Sequence, residues 1–298
     1  MSLRTIQMLA SISLITLLTG LSVIFFRSQY LINWDAGQLA LGTVTYSLAD
    51  HTPHPPGYFL FVKLAGLINN VIGDINLSFI LLAALAQYGA ALLFWQACRQ
   101  RTSSELLALA MTAVVLMHPF VWYERLVALP YSFEFLAAAL LLWSTLRILD
   151  THSPTYLYIA SAGIGILAGF RPSVVILAMP VIALQWMFLR SAFAPIISVL
   201  IGGTAVALWF LPFVQAIDGL SYVTNSIVSQ YTNVQLNPVG GSTIPFFLGA
   251  LFLIFLPFAP GMLGNYRTVF SRKNLATVFL LLLPIGWLVS VYSFIHFG

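Results

Sequence analysis

Long apolar stretches recur along this chain and are separated by shorter polar ones. A helix that crosses the hydrocarbon core of a bilayer needs about 20 apolar residues, and nine stretches approach that length. Because lipid cannot hydrogen-bond to open backbone groups, such a chain is expected to fold as an all-α transmembrane helix bundle. The sequence predicts a single domain over residues 1–298 with nine spans, at 5–26, 75–98, 104–122, 129–149, 155–170, 172–190, 195–217, 244–264 and 275–297.

Two longer polar segments interrupt this pattern, at 27–74 and 218–243. The first contains two apolar stretches, 35–49 and 57–70, that are too short to cross a membrane. We expect two helices lying in the membrane interface, joined by the proline-rich turn "HTPHPPGY", with Pro56 able to open the second helix. This turn is predicted to bring His54 towards the region of Asp35. The second segment is rich in amide side chains and either lines an acceptor site or connects two spans.

Composition supports membrane insertion and excludes several other classes of protein. Hydrophobic residues make up 60% of the chain and charged residues only 7%, against roughly 25% charged in soluble domains. The net charge of +4 reflects basic loops that orient the chain, so we expect no nucleic-acid partner. A single cysteine, Cys98, excludes a disulfide framework and a cysteine-based metal cluster.

The charges are distributed unevenly between the two predicted membrane faces. With a cytoplasmic N-terminus, eight of the 12 basic residues lie inside, as the positive-inside rule requires. The sequence therefore predicts a multi-pass integral membrane protein, in the cell (inner) membrane if the source is bacterial. The outer face collects most of the carboxylates, and we look for chemistry there: Asp35, Asp50, Asp74, Glu124 and Asp218.

Several residues at this outer face have both a structural and a functional interpretation. Asp35, three residues before Gln38, fits a helix capping box, but a carboxylate at the membrane surface can also serve as a general base. The His54 side chain either stabilises the turn through a hydrogen bond or contacts a phosphate or sugar. Glu134 is expected about one turn into the fourth span, where a carboxylate is costly; it is either functional or hydrogen-bonded to a neighbouring span.

The remaining candidates are aromatic or basic residues and one further acid. Glu124 and Arg125 are adjacent, and each can pair at the rim of the bundle or act on a substrate. Arg171 can reach lipid headgroups from a helix end or hold a phosphate, and Lys63 is a further possible phosphate ligand. Tyr58 is either an interfacial aromatic or a platform for a sugar.

Three stretches resemble the GT-C glycosyltransferases, in the branch of membrane enzymes related to protein O-mannosyltransferases. They are "NWDAGQLALGTVTYSLADHTPHPPGYFLFVKLAGLI", "HPFVWYERLVALPYSFEFL" and "LAGFRPS", which together cover roughly residues 30–175. An aspartate after the first span, followed by "HPPGY", is the most specific part of this resemblance.

The resemblance implies a GT-C-like bundle that holds a polyprenyl-phosphate sugar at the outer membrane face. It implies that Asp35 activates the acceptor and that the transfer inverts the anomeric carbon, and it aligns Glu124 with a second acidic site residue. To these catalytic candidates we add His54, Tyr58, Lys63, Arg125 and Arg171 as substrate-binding residues, because cationic side chains suit a departing phosphate. No obligatory cofactor is expected, although a divalent cation between Asp35 and Glu124 stays possible.

Other functions remain open from the sequence. A transporter or flippase of lipid-linked or small substrates is the main alternative, although such proteins often carry charges and broken helices near mid-membrane. An inactive homologue in a glycan-assembly complex is another. The apolar run that stops at Gly298 predicts that further chain follows. The sequence specifies neither the sugar nor the acceptor.

Overall fold

The structure is a computed structural model that describes residues 3–102, 104–189 and 191–217. These residues form ten α-helices and no β-strand, which agrees with the predicted all-α class. The second predicted loop, at 218–243, and the last two predicted spans lie outside the described residues. The helices are α1 (Leu3–Phe26), α2 (Trp34–Val44), α3 (Phe59–Ile72), α4 (Ile75–Arg101), α5 (Glu105–Met117), α6 (Pro119–Glu124), α7 (Ser132–Thr151), α8 (Thr155–Phe170), α9 (Ser173–Met187) and α10 (Ala194–Ala216).

Four of these helices are long and apolar enough to cross a membrane. They are α4, α7 and α10, together with the part of α1 that begins at Thr5. Three further predicted spans correspond to α5, α8 and α9, with 13, 16 and 15 residues. At 1.5 Å per residue these helices are about 20–24 Å long, shorter than a typical hydrocarbon core.

Prolines account for the shorter helices. The predicted span 104–122 is divided into α5 and α6 at His118, because Pro119 has no backbone N–H to continue the helix. In the same way α8 ends before Arg171, whose backbone is extended (φ −149°), as expected for a residue that precedes a proline. Four helices of spanning length are therefore found in the described part of the chain.

The first loop contains two short helices, as predicted, but the second begins later than expected. Pro56 does not open α3, because Gly57 and Tyr58 both have positive φ, +101° and +46°, which right-handed helix does not allow. A side chain at Gly57 would also collide with the Tyr46 hydroxyl, 2.6 Å from an ideal Cβ. That hydroxyl donates to the Gly57 carbonyl at 2.7 Å, and this hydrogen bond links the turn to the segment that follows α2.

Ion pairs and aromatic contacts define two ends of the bundle. Arg101 and Asp150, 3.0 Å apart, join the last residue of α4 to the last turn of α7. The starts of α4 and α7 consequently lie together at the opposite end. There Phe61 of α3 packs on Phe79 and Phe133, with ring centroids 4.8 and 5.7 Å apart. We call this the loop end, since α2, α3 and the proline-rich turn belong to it.

Candidate active site at the loop end

Arg171 occupies the junction of α8 and α9 at the loop end and is held by three neighbours. Its Nε donates to Oε1 of Glu134, in the first turn of α7. The Ser173 hydroxyl donates to the same oxygen at 2.8 Å. The guanidinium carbon lies 3.9 Å from the ring centroid of Tyr131, close enough for a cation–π contact. These contacts hold the guanidinium in one orientation.

The arginine keeps its charge and part of its hydrogen-bonding capacity. Its side chain is buried, with 6% exposure. Burial alone lowers the pKa of Arg171, but the Glu134 carboxylate and the Tyr58 ring more than offset this and raise it above the ordinary value. Neither terminal Nη group donates to another residue that the structure describes. A fixed guanidinium with unused donors is suited to binding an oxyanion.

Glu124, the last residue of α6, belongs to the same cluster. Its Oε2 atom is buried and accepts no hydrogen bond from the described residues. Burial raises the pKa of Glu124 to about 7; Arg171 opposes this shift, and Glu134 adds to it. Near neutral pH the carboxyl is therefore present in both protonation states, as a group that exchanges protons during a reaction should be.

Asp35 is not the N-cap of α2, so the capping-box interpretation is wrong. The cap is Asn33, whose Oδ1 accepts from the backbone N–H of Asp35 at 2.8 Å. Asp35 lies in the first helical turn and is half-buried. Within the described ranges its carboxylate takes part in no hydrogen bond or ion pair. The carboxylate that the resemblance identifies as a base is consequently not engaged by those residues.

The proline-rich turn brings His54 within electrostatic range of Asp35, as predicted. Burial lowers the pKa of His54, and the Asp35 carboxylate partly counteracts this effect. The His54 ring lies edge-on to Tyr58, with centroids 5.1 Å apart, and its buried Nδ1 has no partner in the described part of the chain. His54 is therefore a neutral imidazole at pH 7, with a ring nitrogen left to bond to a ligand.

Tyr58 connects this turn to the cluster around Arg171. It is the N-cap of α3 and adopts a left-handed backbone conformation. Burial raises the pKa of Tyr58, while the Arg171 charge lowers it. The tyrosine therefore stays protonated at neutral pH. Its ring contacts the imidazole of His54, and its hydroxyl lies within electrostatic range of the Arg171 guanidinium.

Arg125 has a different environment from the one expected for a phosphate ligand. The side chain has 0% exposure, and burial lowers its pKa to about 10. Its Nη1 donates to Gln87 Oε1 at 2.8 Å and to the Leu116 carbonyl at 2.9 Å, and its Nη2 donates to Ser22 Oγ at 2.9 Å. These bonds tie together α1, α4 and the end of α5. We therefore assign Arg125 to packing, and Arg171 remains the candidate for binding an anion.

Lys63 also lies apart from the cluster around Arg171. Its ammonium is 4.7 Å from the ring centroid of Tyr46 and 5.9 Å from that of Phe59. The side chain is exposed, and burial of part of it lowers its pKa. The structure shows a cation–π contact for Lys63 and does not bring it to Asp35, Glu124 or Arg171.

Two members of the cluster were not identified as site residues from the sequence. Glu134 stood out only as a costly carboxylate near a span end, and its ion pair with Arg171 joins residues 37 positions apart. Ser173 carried no signal beyond its place in "FRPS". No group of three or more His, Cys, Asp or Glu side chains in the described ranges is arranged to hold a metal ion.

Comparisons with other proteins add no assignment. The chain matches no protein-family model, no curated protein and no solved structure. The likeness to the GT-C glycosyltransferases consequently rests on the residues quoted above and on the site that they form.

Proposed function

We propose that this chain is an inverting glycosyltransferase that moves a sugar from a polyprenyl-phosphate donor to an acceptor hydroxyl at the outer membrane face. One observation supports it above all others. The loop end combines a carboxylate that the described residues leave unengaged, Asp35, with an anchored buried guanidinium, Arg171. Asp35 raises the pKa of His54 and Arg171 lowers it, which supports the proposal that the two charges belong to one polar site.

The chemistry requires these two groups. An acceptor hydroxyl is a poor nucleophile until a base takes its proton, and Asp35 is that base. As the acceptor oxygen bonds to the anomeric carbon, the bond from that carbon to the phosphate oxygen breaks on the opposite face. The electron pair leaves with the lipid phosphate, and the proton stays on Asp35. Arg171 stabilises the negative charge on the departing phosphate through its Nη donors.

The neighbouring groups serve substrate binding in this proposal. The neutral imidazole of His54 and the hydroxyl of Tyr58 are placed to hydrogen-bond to the sugar or the phosphate. Glu134, Ser173 and Tyr131 hold Arg171 so that little reorganisation is needed when the donor binds. Glu124 lies within electrostatic range of the arginine and helps to set the charge of the site.

The Asp35→Asn variant tests the proposal. Purified protein in lipid vesicles is supplied with polyprenyl-phosphate mannose or glucose and membrane extract as acceptor, and release of free polyprenyl phosphate is measured. Removal of the base should slow release by about 10²-fold or more. Thermal unfolding should be unchanged, because the Asp35 carboxylate has no partner among the described residues.

Asp50→Asn is the matched control, since Asp50 is an exposed carboxylate in the same loop whose side chain contacts only Ser47 in the described structure. It should retain the wild-type rate. Wild-type release by Asp35→Asn would refute the role of the aspartate as base. Movement of the intact lipid-linked sugar between leaflets, without release of polyprenyl phosphate, would instead establish a transporter.

A further inference from the structure

Two carboxylates compete for one guanidinium at the loop end. Oε1 of Glu134 accepts a hydrogen bond from Nε of Arg171, and the Ser173 hydroxyl donates to the same oxygen. The buried Oε2 atom of the Glu124 carboxylate accepts no hydrogen bond from the described residues, although Arg171 acts on this carboxylate electrostatically. The Glu124 backbone carbonyl accepts from the Ser132 hydroxyl at 3.2 Å, which fixes Glu124 against the start of α7. With both carboxylates ionised the group of three has a net charge of −1, and with Glu124 protonated its net charge is zero. The second state is the one that an incoming anion can enter without repulsion.

The charged groups near Glu124 come from several elements. Glu134 on α7 and Arg171 at the α8–α9 junction act on it directly. Arg125 follows it in the chain but directs its guanidinium to Gln87 and Ser22. Tyr58, Tyr131, His54, His51 and Asp35 also lie at this end and act electrostatically on Arg171 or on one another. The His118 ring stacks on Phe120, Arg27 pairs with Asp74, and Lys63 lies against Tyr46.

We propose that the site binds a phosphodiester anion at Arg171 together with one proton, which is held by Glu124. This inference rests on the proposed function, which assigns the phosphate of the donor to Arg171. The proton comes from solvent when the anion binds and returns to solvent when it leaves. Protonated Glu124 can also donate a hydrogen bond to a phosphate oxygen, whereas ionised Glu124 can only repel it.

The proposal makes a quantitative statement about pH. The pKa of Glu124 in the free protein is about 7, so anion binding is strongest below that pH. Above it, each pH unit should weaken binding about tenfold, because a proton must first be taken up. His54, whose pKa is lowered by burial, is mostly neutral from pH 6.5 to 8.5 and contributes little to the change.

The test uses farnesyl methyl phosphate, a lipid phosphodiester that does not titrate in this pH range. Binding to the full-length protein in detergent is measured by calorimetry at pH 6.5 and 8.5, in two buffers of different ionisation enthalpy. We expect wild-type affinity to fall on the order of tenfold or more between these pH values. We also expect uptake of close to one proton per ligand at pH 8.5.

Glu124→Gln mimics the protonated carboxyl and should separate the two effects. It should bind the probe equally well at both pH values, as tightly as the wild type at pH 6.5, with no proton uptake. The Asp50→Asn control should behave like the wild type. Arg171→Lys keeps the positive charge but replaces the planar guanidinium, with its several fixed donors, by a single ammonium group. It should weaken binding of the probe at both pH values. Thermal unfolding checks that every variant is folded.

Three results would overturn the proposal. They are equal wild-type affinity at both pH values without proton uptake, pH dependence that persists in Glu124→Gln, and no binding of the probe by the wild type. Sugar transfer is measured separately through Asp35→Asn. If sugar transfer depends on Asp35 but binding of the probe does not depend on pH, the proton uptake by Glu124 is refuted and the proposed enzyme function stands. If the probe binds with uptake of a proton but no sugar is transferred, the proposed enzyme function is refuted and the anion-binding site at Arg171 stands.

Discussion

Two arginines that are similar in sequence have different roles at the level of single residues. Arg125 and Arg171 both follow apolar stretches near the predicted outer face. Arg125 is enclosed by neutral hydrogen-bond acceptors on α1, α4 and α5, whereas Arg171 pairs with a carboxylate and keeps unused donors. Their surroundings, and not their residue type, make Arg125 a packing residue and Arg171 a candidate for binding an anion.

Arg125→Met should destabilise the protein strongly. The change leaves Gln87 and Ser22 without their buried donor, and the free energy of unfolding should fall by about 3 kcal/mol. Thermal unfolding in detergent measures this loss. Arg27→Gln is the control, because the Arg27–Asp74 pair is 4.0 Å apart and partly exposed and should contribute less than about 1 kcal/mol. Equal losses in the two variants would contradict a structural role specific to Arg125.

At the level of elements, glycine and proline decide where helices end and how closely they pack. Pro119 interrupts the apolar run 104–122, which the sequence predicts as one span, and Pro172 lies between α8 and α9. On α8, a side chain at Gly165 would lie 2.6 Å from the Gly202 carbonyl and 2.7 Å from the Ala205 side chain, both on α10. The backbones of α8 and α10 therefore approach each other as in other small-residue contacts of membrane helices.

Gly165→Ala should separate α8 from α10 and lower the free energy of unfolding by about 1–3 kcal/mol, the usual cost of overpacking. Gly203→Ala is the matched control, because its added methyl group meets nothing within 4 Å. It lies inside α10 and should be neutral or stabilising by up to about 1 kcal/mol. Thermal unfolding of both variants provides the comparison, and a stable Gly165→Ala would mean that the two helices are not in close contact.

At the level of the whole molecule, charge is used differently at the two ends of the bundle. Away from the loop end, Arg99 pairs with Glu105 at 2.7 Å and Arg101 with Asp150 at 3.0 Å. At the loop end, Asp35 and Glu124 have no such partner among the described residues. The pairs Arg171–Glu134 and Arg27–Asp74 also lie at the loop end. Among the described residues, the two ends therefore differ in the unpaired carboxylates that only the loop end carries.

The positive-inside rule predicts that the loop end faces outward. Single cysteines introduced as Asp50→Cys and Thr151→Cys, at exposed positions on opposite ends, test this in a Cys98→Ser background. A membrane-impermeant maleimide applied to intact cells should label the first variant and leave the second unlabelled until the cells are opened. The reverse pattern would place the site on the cytoplasmic face.

The sequence by itself determined the features that depend on local composition. Apolar length and the low charge content predicted a helical membrane bundle, and the proline-rich turn predicted two short helices in the first loop. The predicted span 104–122 was too long, because hydropathy averages over the break at Pro119, which lacks a backbone N–H. Asp35 and Arg171 were named as candidate site residues from the sequence, and that assignment stays a prediction. The helix cap at Asn33 was missed because Gln38 completed a competing pattern.

Only the tertiary structure decided which polar groups share a site. Three relations join residues that are distant in the sequence: the Arg171–Glu134 pair, the enclosure of Arg125 by Gln87 and Ser22, and the electrostatic effect of Arg171 on Glu124. Side-chain partners and the loss of solvent set the charge states of these groups, and both arise only when the helices pack. For this reason adjacent residues such as Glu124 and Arg125 end in different environments.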